Sequence, residues 1–534
     1  MAALEQERIS GRRHAYGEAP GLAADVLFHQ LGLQPADIDA VSYAWDEDVK
    51  LDSELGRPPL SLADPSLAKK LRCGSLPDIP TYQVRHHYAH AASCFYSTDA
   101  EKAAVLVLDG QGEHESISLF DGSAERLVLL ETYPIRCSLG LFYEAAAAYA
   151  GLGWDAAGQL MGLAAFGRSS SALPLSFDET DGRMQLPQAV EDTAPGGAEL
   201  ASRVVEAWLA CFQAEMYPFR RGSGTDVLYY ADFAATVQRT LEEAALNLSR
   251  RLARLTAADT LLISGGCALN GSMNQRLVRQ GPFRRVAALP ASNDAGAAIG
   301  AGLALHAHLV TKPRNWTAPR IDLGREFTEK ETMLLLDACQ VHVTKLTREM
   351  VAAHAADALA EGRIVIWFQG RDEFGPRALG YRSILGHPGR RETLGLLNEL
   401  KGRAYWRPLG PSVLAERADE IFEEESVLEL DRYMLRMRTV RLSWVSKIPS
   451  VVHIDRSTRP QLVERAANPL YYELIQEFAK KTGLPLVCNT SLNVSGRPIA
   501  HTPADALDVL RQAPAGTILL INSFLVAQPN TGVS

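Results

Sequence analysis

Three short, largely apolar runs, each leading into a turn of glycine and short polar side chains, constrain this chain more than any other feature of its sequence. Residues 103–108 end in Asp109-Gly110, residues 260–263 end in Ser264-Gly265-Gly266, and residues 286–289 lead into Ser292-Asn293-Asp294-Ala295-Gly296. Short apolar runs closed by a turn are the pattern of buried strands, and turns at the carboxyl ends of such strands are where α/β proteins hold ligands.

Helical patterns separate them. An amphipathic stretch from Ala23 is closed by Gly32-Leu33-Gln34-Pro35 ahead of a short apolar run, 40–44. Further helices are expected over 141–150, 231–257 and, in small residues, 297–305. Residues 116–120 and 127–133 flank Asp121-Gly122, which predicts a hairpin turning at that pair. Residues 169–198, polar with Pro, Gly and Asp, read as a variable excursion. Near 312–324 the periodicity fails around Pro313 and Pro319, so a first domain of residues 1–320 and a second of 321–534 are expected, the second with strands at 364–368, 484–488 and 517–521. The length of 534 residues agrees, because one hydrophobic core seldom serves so long a chain.

Charge and cysteine content narrow the function. The 54 basic against 63 acidic side chains give a net charge of -9, which disfavours a nucleic-acid partner. Seven scattered cysteines without a Cys-x-x-Cys pair indicate neither a disulfide framework nor a zinc ribbon, and fit a reduced cytoplasm. No stretch approaches the roughly 20 apolar residues that span a bilayer, and the first residues lack the pattern of a signal peptide, so no membrane partner is expected. The chain opens directly on a charged segment, 5–13.

Two constellations carry chemistry. His86 and His90 stand four apart, which on a helix puts both imidazoles on one face, as chelation requires. Asp109 and Asp294 each follow a strand, and with the histidines they would suit Fe(II), Mn(II) or Zn(II). The competing reading is a pair of satisfied polar residues on a helix flank, and His87 and His114 stay open as neighbouring, catalytic or structural groups. The second constellation is the glycine-rich run 368–380, which contains Arg371 and Arg377, joined by Lys401, Arg403 and Arg407 around Tyr405 and Trp406. Glycines let backbone amides approach an anion and guanidinium groups clamp phosphate, whereas a solvated basic face is the common alternative. Asn489, Thr490, Ser491 and Asn493 follow a strand and would contact phosphate or cap a turn. No Walker-type loop is present.

These blocks together resemble the antibiotic and nodulation-factor O-carbamoyltransferases, which tailor tobramycin, cephamycins, ansamycins and macrolides. The resemblance rests on His-His-Tyr-Ala-His-Ala-Ala-Ser, Val-Leu-Asp-Gly-Gln-Gly-Glu, Ser-Leu-Gly-Leu-Phe-Tyr, Met-Gly-Leu-Ala, Gly-Gly-Cys-Ala-Leu-Asn, Glu-Phe-Gly-Pro-Arg-Ala-Leu-Gly and Asn-Thr-Ser-Leu-Asn. It implies an actin/hexokinase-like domain followed by a smaller YrdC-like α/β domain. The YrdC-like domain would form carbamoyl-adenylate from carbamoyl phosphate and ATP, with Mg, and the larger domain would pass the carbamoyl group to a hydroxyl of a secondary metabolite. The implied metal ligands are His86, His90, Asp109 and Asp294, with Fe(II) or another divalent ion. Arg377, Lys401, Arg403 and Arg407 would hold phosphate charge, and Arg13, Gly265, Gly266, Asn270, Arg459, Asn489, Thr490, Ser491 and Asn493 would bind the nucleotide. The partner would be a hydroxylated small molecule, polyketide, macrolide or glycoside, with a homodimer left open.

Three departures qualify this. The family's opening His-Asp-x-Ala-Ala segment, whose His is the proposed general base, is expected ahead of residues 2–14, so either the start is wrongly assigned or another group such as His14 or His87 substitutes. Ala157-Gly158-Gln159 stands where Glu-Gly-Lys is common, and Arg497 where an acidic residue is usual. The alternatives are a catalytically impaired scaffold or regulator on the actin fold and a threonylcarbamoyl-type tRNA-modifying transferase, the latter disfavoured by the acidic balance. The hydrogenase-maturation carbamoyltransferases carry cysteine pairs and an acylphosphatase module that are absent here.

Overall fold

The computed structural model describes residues 1–46, 59–63, 79–123, 126–153, 156–170, 173, 175–194, 199–216, 226–310, 320–424 and 428–528. These residues form two compact α/β units, one of residues 36–310 and one of residues 1–35 with 320–528. The main segment of the second unit begins at residue 320. Residues 1–35 differ from the expectation, because they pack with the second unit, where the Ala3 N–H donates to the Leu323 carbonyl at 3.1 Å.

The first unit is built on a five-stranded mixed sheet in the order Arg285–Ala288, Thr260–Ser264, Lys102–Leu108, Glu115–Ser123, Arg126–Pro134. The first three strands run parallel, and each of the last two pairs antiparallel with the strand before it. Residues 103–108 are buried throughout, which is why that run shows no polar alternation. Its odd-numbered side chains, Ala103, Val105 and Val107, share one core with the helices His86–Phe95 and Asp294–Leu309. Those two helices meet backbone to backbone: a Cβ on Gly300 would lie 1.8 Å from the Ala89 carbonyl oxygen. The long amphipathic helix Ala231–Leu255 contacts the same sheet.

The hairpin does not turn where expected. Asp121 and Gly122 lie inside the strand Glu115–Ser123, paired with Val128 and Leu127. Gly122 serves packing instead, since a Cβ there would sit 2.4 Å from the Phe95 ring. In the stretch 169–198 the described residues include two short paired strands and a one-turn helix, Gln188–Glu191.

The second unit carries an eight-stranded mixed sheet in the order Val343–Lys345, Phe524–Ala527, Ile518–Ile521, Val365–Phe368, Arg382–Gly386, Leu486–Ser491, Gly410–Leu414, Gln461–Val463. Strand periodicity divides its side chains between two cores. Val365 and Trp367 pack with the helices Arg348–Ala360 and Pro469–Thr482, while Ile366 and Phe368 pack with Glu329–Ala338 and Pro503–Gln512. The last of these helices starts with a capping box between Thr502 and Asp505. No helix among the described residues is long and apolar enough to cross a membrane.

Gly300→Ala is expected to destabilise the first unit by about 3 kcal/mol or more, because the backbone it would strike cannot rotate away as a side chain can. Gly302→Ala, on the same helix with nothing within 4 Å, should be neutral or stabilising by about 0.5–1 kcal/mol. Denaturant unfolding of both variants checks this; equal effects would refute the packing argument.

Candidate active site

His86 is the first residue of the helix His86–Phe95, and His90 follows one turn later, so both rings leave the same face. The helix has no cap from its own preceding side chain. Glu113 supplies one from the turn beyond Asp109: its Oε1 accepts the His86 N–H at 2.8 Å and the Asp46 N–H at 2.9 Å. Asp109 ends the central strand, and Asp294 opens the helix whose glycine presses on Ala89.

These elements bring one donor atom from each of His86, His90, Asp109 and Asp294 within 4.8 Å of one another. The two histidine Nε2 atoms stand 3.2 Å apart. Asp109 Oδ2 lies 3.3 Å from His86 Nε2 and 3.6 Å from His90 Nε2, and Asp294 Oδ1 lies 3.8 and 3.6 Å from the same nitrogens. His86 Nδ1 donates to the Ala44 carbonyl at 3.0 Å, and because a carbonyl can only accept, Nε2 is the nitrogen left facing the cluster. His90 Nδ1 is 3.4 Å from the Ser264 hydroxyl. The free oxygen of Asp109, Oδ1, accepts the Gly266 N–H at 2.7 Å. Such outer partners orient ligands and fix tautomers at metal sites. Two imidazoles and two carboxylates converging in this way are a donor set that fits a divalent ion.

Burial alone would strip the proton from His86, but Asp109, then Asp294 and the Ala44 carbonyl, outweigh it and carry the group up to about 9. His90 is raised by the same carboxylates against its burial. Asp109 is held well below the usual carboxylate range by the two histidines, although burial opposes this. His87 behaves differently: burial dominates and pushes it down to about 4. Its Nδ1 meets the Ser118 hydroxyl at 2.8 Å, while its Nε2 is buried without a hydrogen bond among the described residues. His114 is half-buried and outside the quartet.

Gly265 and Gly266 stand under this site. Gly265 has φ 87°, and a Cβ on it would fall 2.2 Å from the Leu108 carbonyl oxygen, so the turn can close on Asp109 only as glycine. Asn270 caps the helix Gly271–Gln280 through the Met273 N–H and is bonded to Gln238 at 3.0 Å.

The second unit gathers cations. Lys401 is buried, and Arg377, Arg403, Arg407 and Arg459 are half-buried. Burial and the neighbouring guanidinium groups lower all five, Arg377 to about 10 and Arg403 to about 9. Lys401, Arg403, Arg407 and Arg459 form no ion pair within 4.0 Å among the described residues. The buried Nε atoms of Arg403 and Arg459 also lack a hydrogen bond there. Like charges held together out of water are costly unless an anion completes them.

Lys401 departs from the expected phosphate grip. Its ammonium donates to the Ser491 carbonyl at 2.6 Å, the Ser491 hydroxyl at 3.1 Å, the Asn493 carbonyl at 3.0 Å and the Asn493 side-chain oxygen. With three hydrogens and four acceptors, it organises the 491–493 turn. Thr490 Oγ1 accepts from Arg403 at 3.5 Å. Asn489 is buried in the sheet and donates to the Ala378 carbonyl at 3.0 Å, tying down the residue beside Arg377. Arg13 is exposed and adds to the positive field on Arg407. His14, exposed at φ 64°, donates its N–H to Glu7 at 2.5 Å and belongs to the unit of the basic cluster, not to that of the quartet. The nucleotide set is likewise divided, with Gly265, Gly266 and Asn270 in one unit and Arg13, Arg459 and 489–493 in the other.

Sequence reasoning missed the roles of Glu113, Ser264 and the Ala44 carbonyl. Glu113 closes the Val-Leu-Asp-Gly-Gln-Gly-Glu block, which was its only signal.

Comparison with known proteins finds that residues 60–303 match the family model described as carbamoyltransferase N-terminus, and residues 356–528 the one described as carbamoyltransferase C-terminus. The chain is 31% identical to nodulation protein NolNO of Sinorhizobium fredii, over 98% of this chain and 77% of that protein. It is 31% identical to nodulation protein U of Azorhizobium caulinodans, over 93% and 90%. It is 33% identical to 3'-hydroxymethylcephem-O-carbamoyltransferase of Amycolatopsis lactamdurans, over 61% and 60%. The quartet falls in the first matched segment, and the five cations and 489–493 fall in the second.

Because a divalent ion must displace the proton that His86 retains up to about pH 9, apparent affinity should rise with pH toward that value and level off above it. Calorimetric titration with Fe(II) under anoxia, or with Mn(II), across pH 6.5–9.5 checks this, in about 0.5-unit steps. His90→Ala and Asp109→Ala should each lower affinity at least about tenfold, and an affinity that falls as pH rises would contradict the assignment.

Proposed function

The chain belongs to the carbamoyltransferase family and is an O-carbamoyltransferase, and from that premise we propose that it joins carbamate to ATP and then delivers the carbamoyl group to a hydroxyl of a small molecule. The observation that carries this is the cluster of five cations in the second unit, four of them without a counter-charge among the described residues. Carbamoyl phosphate and water give carbamate and phosphate. A carbamate oxygen then attacks the α-phosphorus of ATP, the bond to pyrophosphate breaks, and carbamoyl-adenylate remains. Arg377, Arg403, Arg407 and Arg459 hold phosphate charge as it develops, with Mg as the usual companion of ATP. Lys401 acts one step back by shaping the Ser491–Asn493 turn.

Transfer is assigned to the first unit. The acceptor oxygen attacks the carbamoyl carbon, and the carbon–oxygen bond to AMP breaks. A divalent ion held by His86, His90, Asp109 and Asp294 would supply Lewis-acid polarisation there. Gly266 and Ser264 hold Asp109 and His90 in place, and the Ala44 carbonyl holds the His86 tautomer. Of the two histidines expected to take the hydroxyl proton, we favour His87. It lies 6.1 and 6.4 Å, ring centre to ring centre, from His86 and His90, in the unit that holds the quartet. The first unit is read as actin/hexokinase-like and the second as YrdC-like, supported by the α/β sheets. The acceptor is read, from the family resemblance, as a hydroxylated secondary metabolite, and the acidic balance supports a reading without a nucleic-acid partner.

Arg403→Ala and Arg407→Ala should each slow ATP-dependent pyrophosphate release about 10²–10³-fold. His90→Ala should leave that rate near wild type and abolish transfer from supplied carbamoyl-adenylate. If His90→Ala instead stopped pyrophosphate release while transfer survived, the division of labour would be refuted.

A further inference from the structure

The charged segment at the start of the chain contains an arginine that is not on the surface. Arg8, in the short helix Gln6–Ser10, has a side chain 1% exposed. Its Nε pairs with Glu5 Oε2 at 2.5 Å, one terminal nitrogen donates to the Gly375 carbonyl at 2.7 Å, and the other lies 3.7 Å from Asp372 Oδ2. The second oxygen of Glu5 accepts the Gly375 N–H at 3.1 Å. Both polar groups of one buried residue are therefore taken by a single acid–base pair 370 positions away for Glu5 and 367 for Arg8.

We propose that Glu5 and Arg8 are positioning residues for adenylate formation, acting through the Gly375 peptide to set Arg377. Gly375 has φ 110°, a conformation without a side chain to lock it, so its two backbone bonds are what fix its peptide planes. Pro376 follows with its own φ restricted by the ring, and Arg377 comes next, so the orientation of Gly375 passes along the chain to the guanidinium. The loop is tied on its other flank as well. Asp372 meets His501 Nδ1 at 3.3 Å, and buried Glu373 accepts the Leu379 N–H at 2.7 Å and the Arg382 N–H at 3.3 Å. Apolar side chains would dock a terminal segment at less cost than a buried ion pair, which loses several kcal/mol of hydration per ion. What the pair adds over apolar docking is direction: a guanidinium and a carboxylate fix the two peptide planes flanking Gly375 in angle as well as distance.

The inference rests on the reading that the basic cluster including Arg377 carries adenylation, and the test separates the two. The decisive variant is Glu5→Met/Arg8→Met, which keeps volume and docking but removes every hydrogen bond to Gly375. Pyrophosphate release from ATP and carbamoyl phosphate is followed in the full chain beside Arg403→Ala and Arg407→Ala, with melting temperature and divalent-ion binding as further readouts. The double variant should fold, bind metal as wild type, and show kcat lowered about ten- to a hundredfold with a much smaller change in KM for ATP. Glu5→Gln, which keeps size and the acceptor but weakens the grip, should fall between, and Arg8→Lys should not rescue the rate because it lacks the fork. If the Arg403 and Arg407 variants are dead while the double variant turns over at the wild-type rate, this inference is overturned and the adenylation reading stands. If Arg403→Ala and Arg407→Ala keep wild-type rates, the adenylation reading falls first. Should the double variant not fold, an unaltered kcat in Glu5→Gln and Arg8→Lys overturns the inference equally.

Discussion

A backbone-to-backbone contact sets the chemistry of the first unit. Gly300 rests so closely on the Ala89 carbonyl that no side chain fits between them. Ala89 lies between His86 and His90 on one helix, and Asp294 opens the other, so the same contact that closes the core also fixes the distance from two imidazoles to a carboxylate. The remaining member arrives from the sheet: Asp109 comes from the end of the central strand and is held by the Gly265-Gly266 turn, which can approach it because it lacks side chains. Four candidate ligands from three elements converge because the packing is tight, and tight packing tolerates no drift.

Electrostatics governs the second unit, with the opposite sign. In the quartet, carboxylates raise the proton affinity of two buried histidines; in the basic cluster, burial and neighbouring cations lower that of a lysine and four arginines. A folded domain does not gather five such groups for stability, since each gives up hydration with too little in return. Lys401 shows how part of that cost is met internally, through oxygens of Ser491 and Asn493. Arg403 and Arg459 keep buried nitrogens without such partners among the described residues. The difference separates the cation that builds the turn from those proposed to meet an anion.

The segment 1–35 illustrates how misleading charge can be as a guide to exposure. Glu5 and Arg8 lie in a stretch that composition alone would leave in water, yet they reach the Gly375 peptide in the loop bearing Arg377. Local sequence favours a short helix ended by Gly11 in the left-handed conformation, and nothing local says which carbonyl an arginine three residues earlier will find.

The sequence by itself determined the α/β class, the burial of 103–108, and the placing of His86 and His90 on one helix face. Each is a local or periodic property: apolar runs become buried strands, and a four-residue spacing on a helix shares a face whatever surrounds it. Family resemblance added Arg13, Arg459 and the carbamoyl chemistry. Only the tertiary structure decided that Asp121-Gly122 lies in a strand, because the reason is the Phe95 ring and not a turn. It also decided that residues 1–35 join the second unit, that Glu113 caps the ligand helix, that His87 stays neutral while His86 does not, and that Lys401 is spent on the 491–493 turn. These outcomes depend on which distant groups meet, and on how much water the meeting excludes. Neither is written in the spacing of residues along a chain.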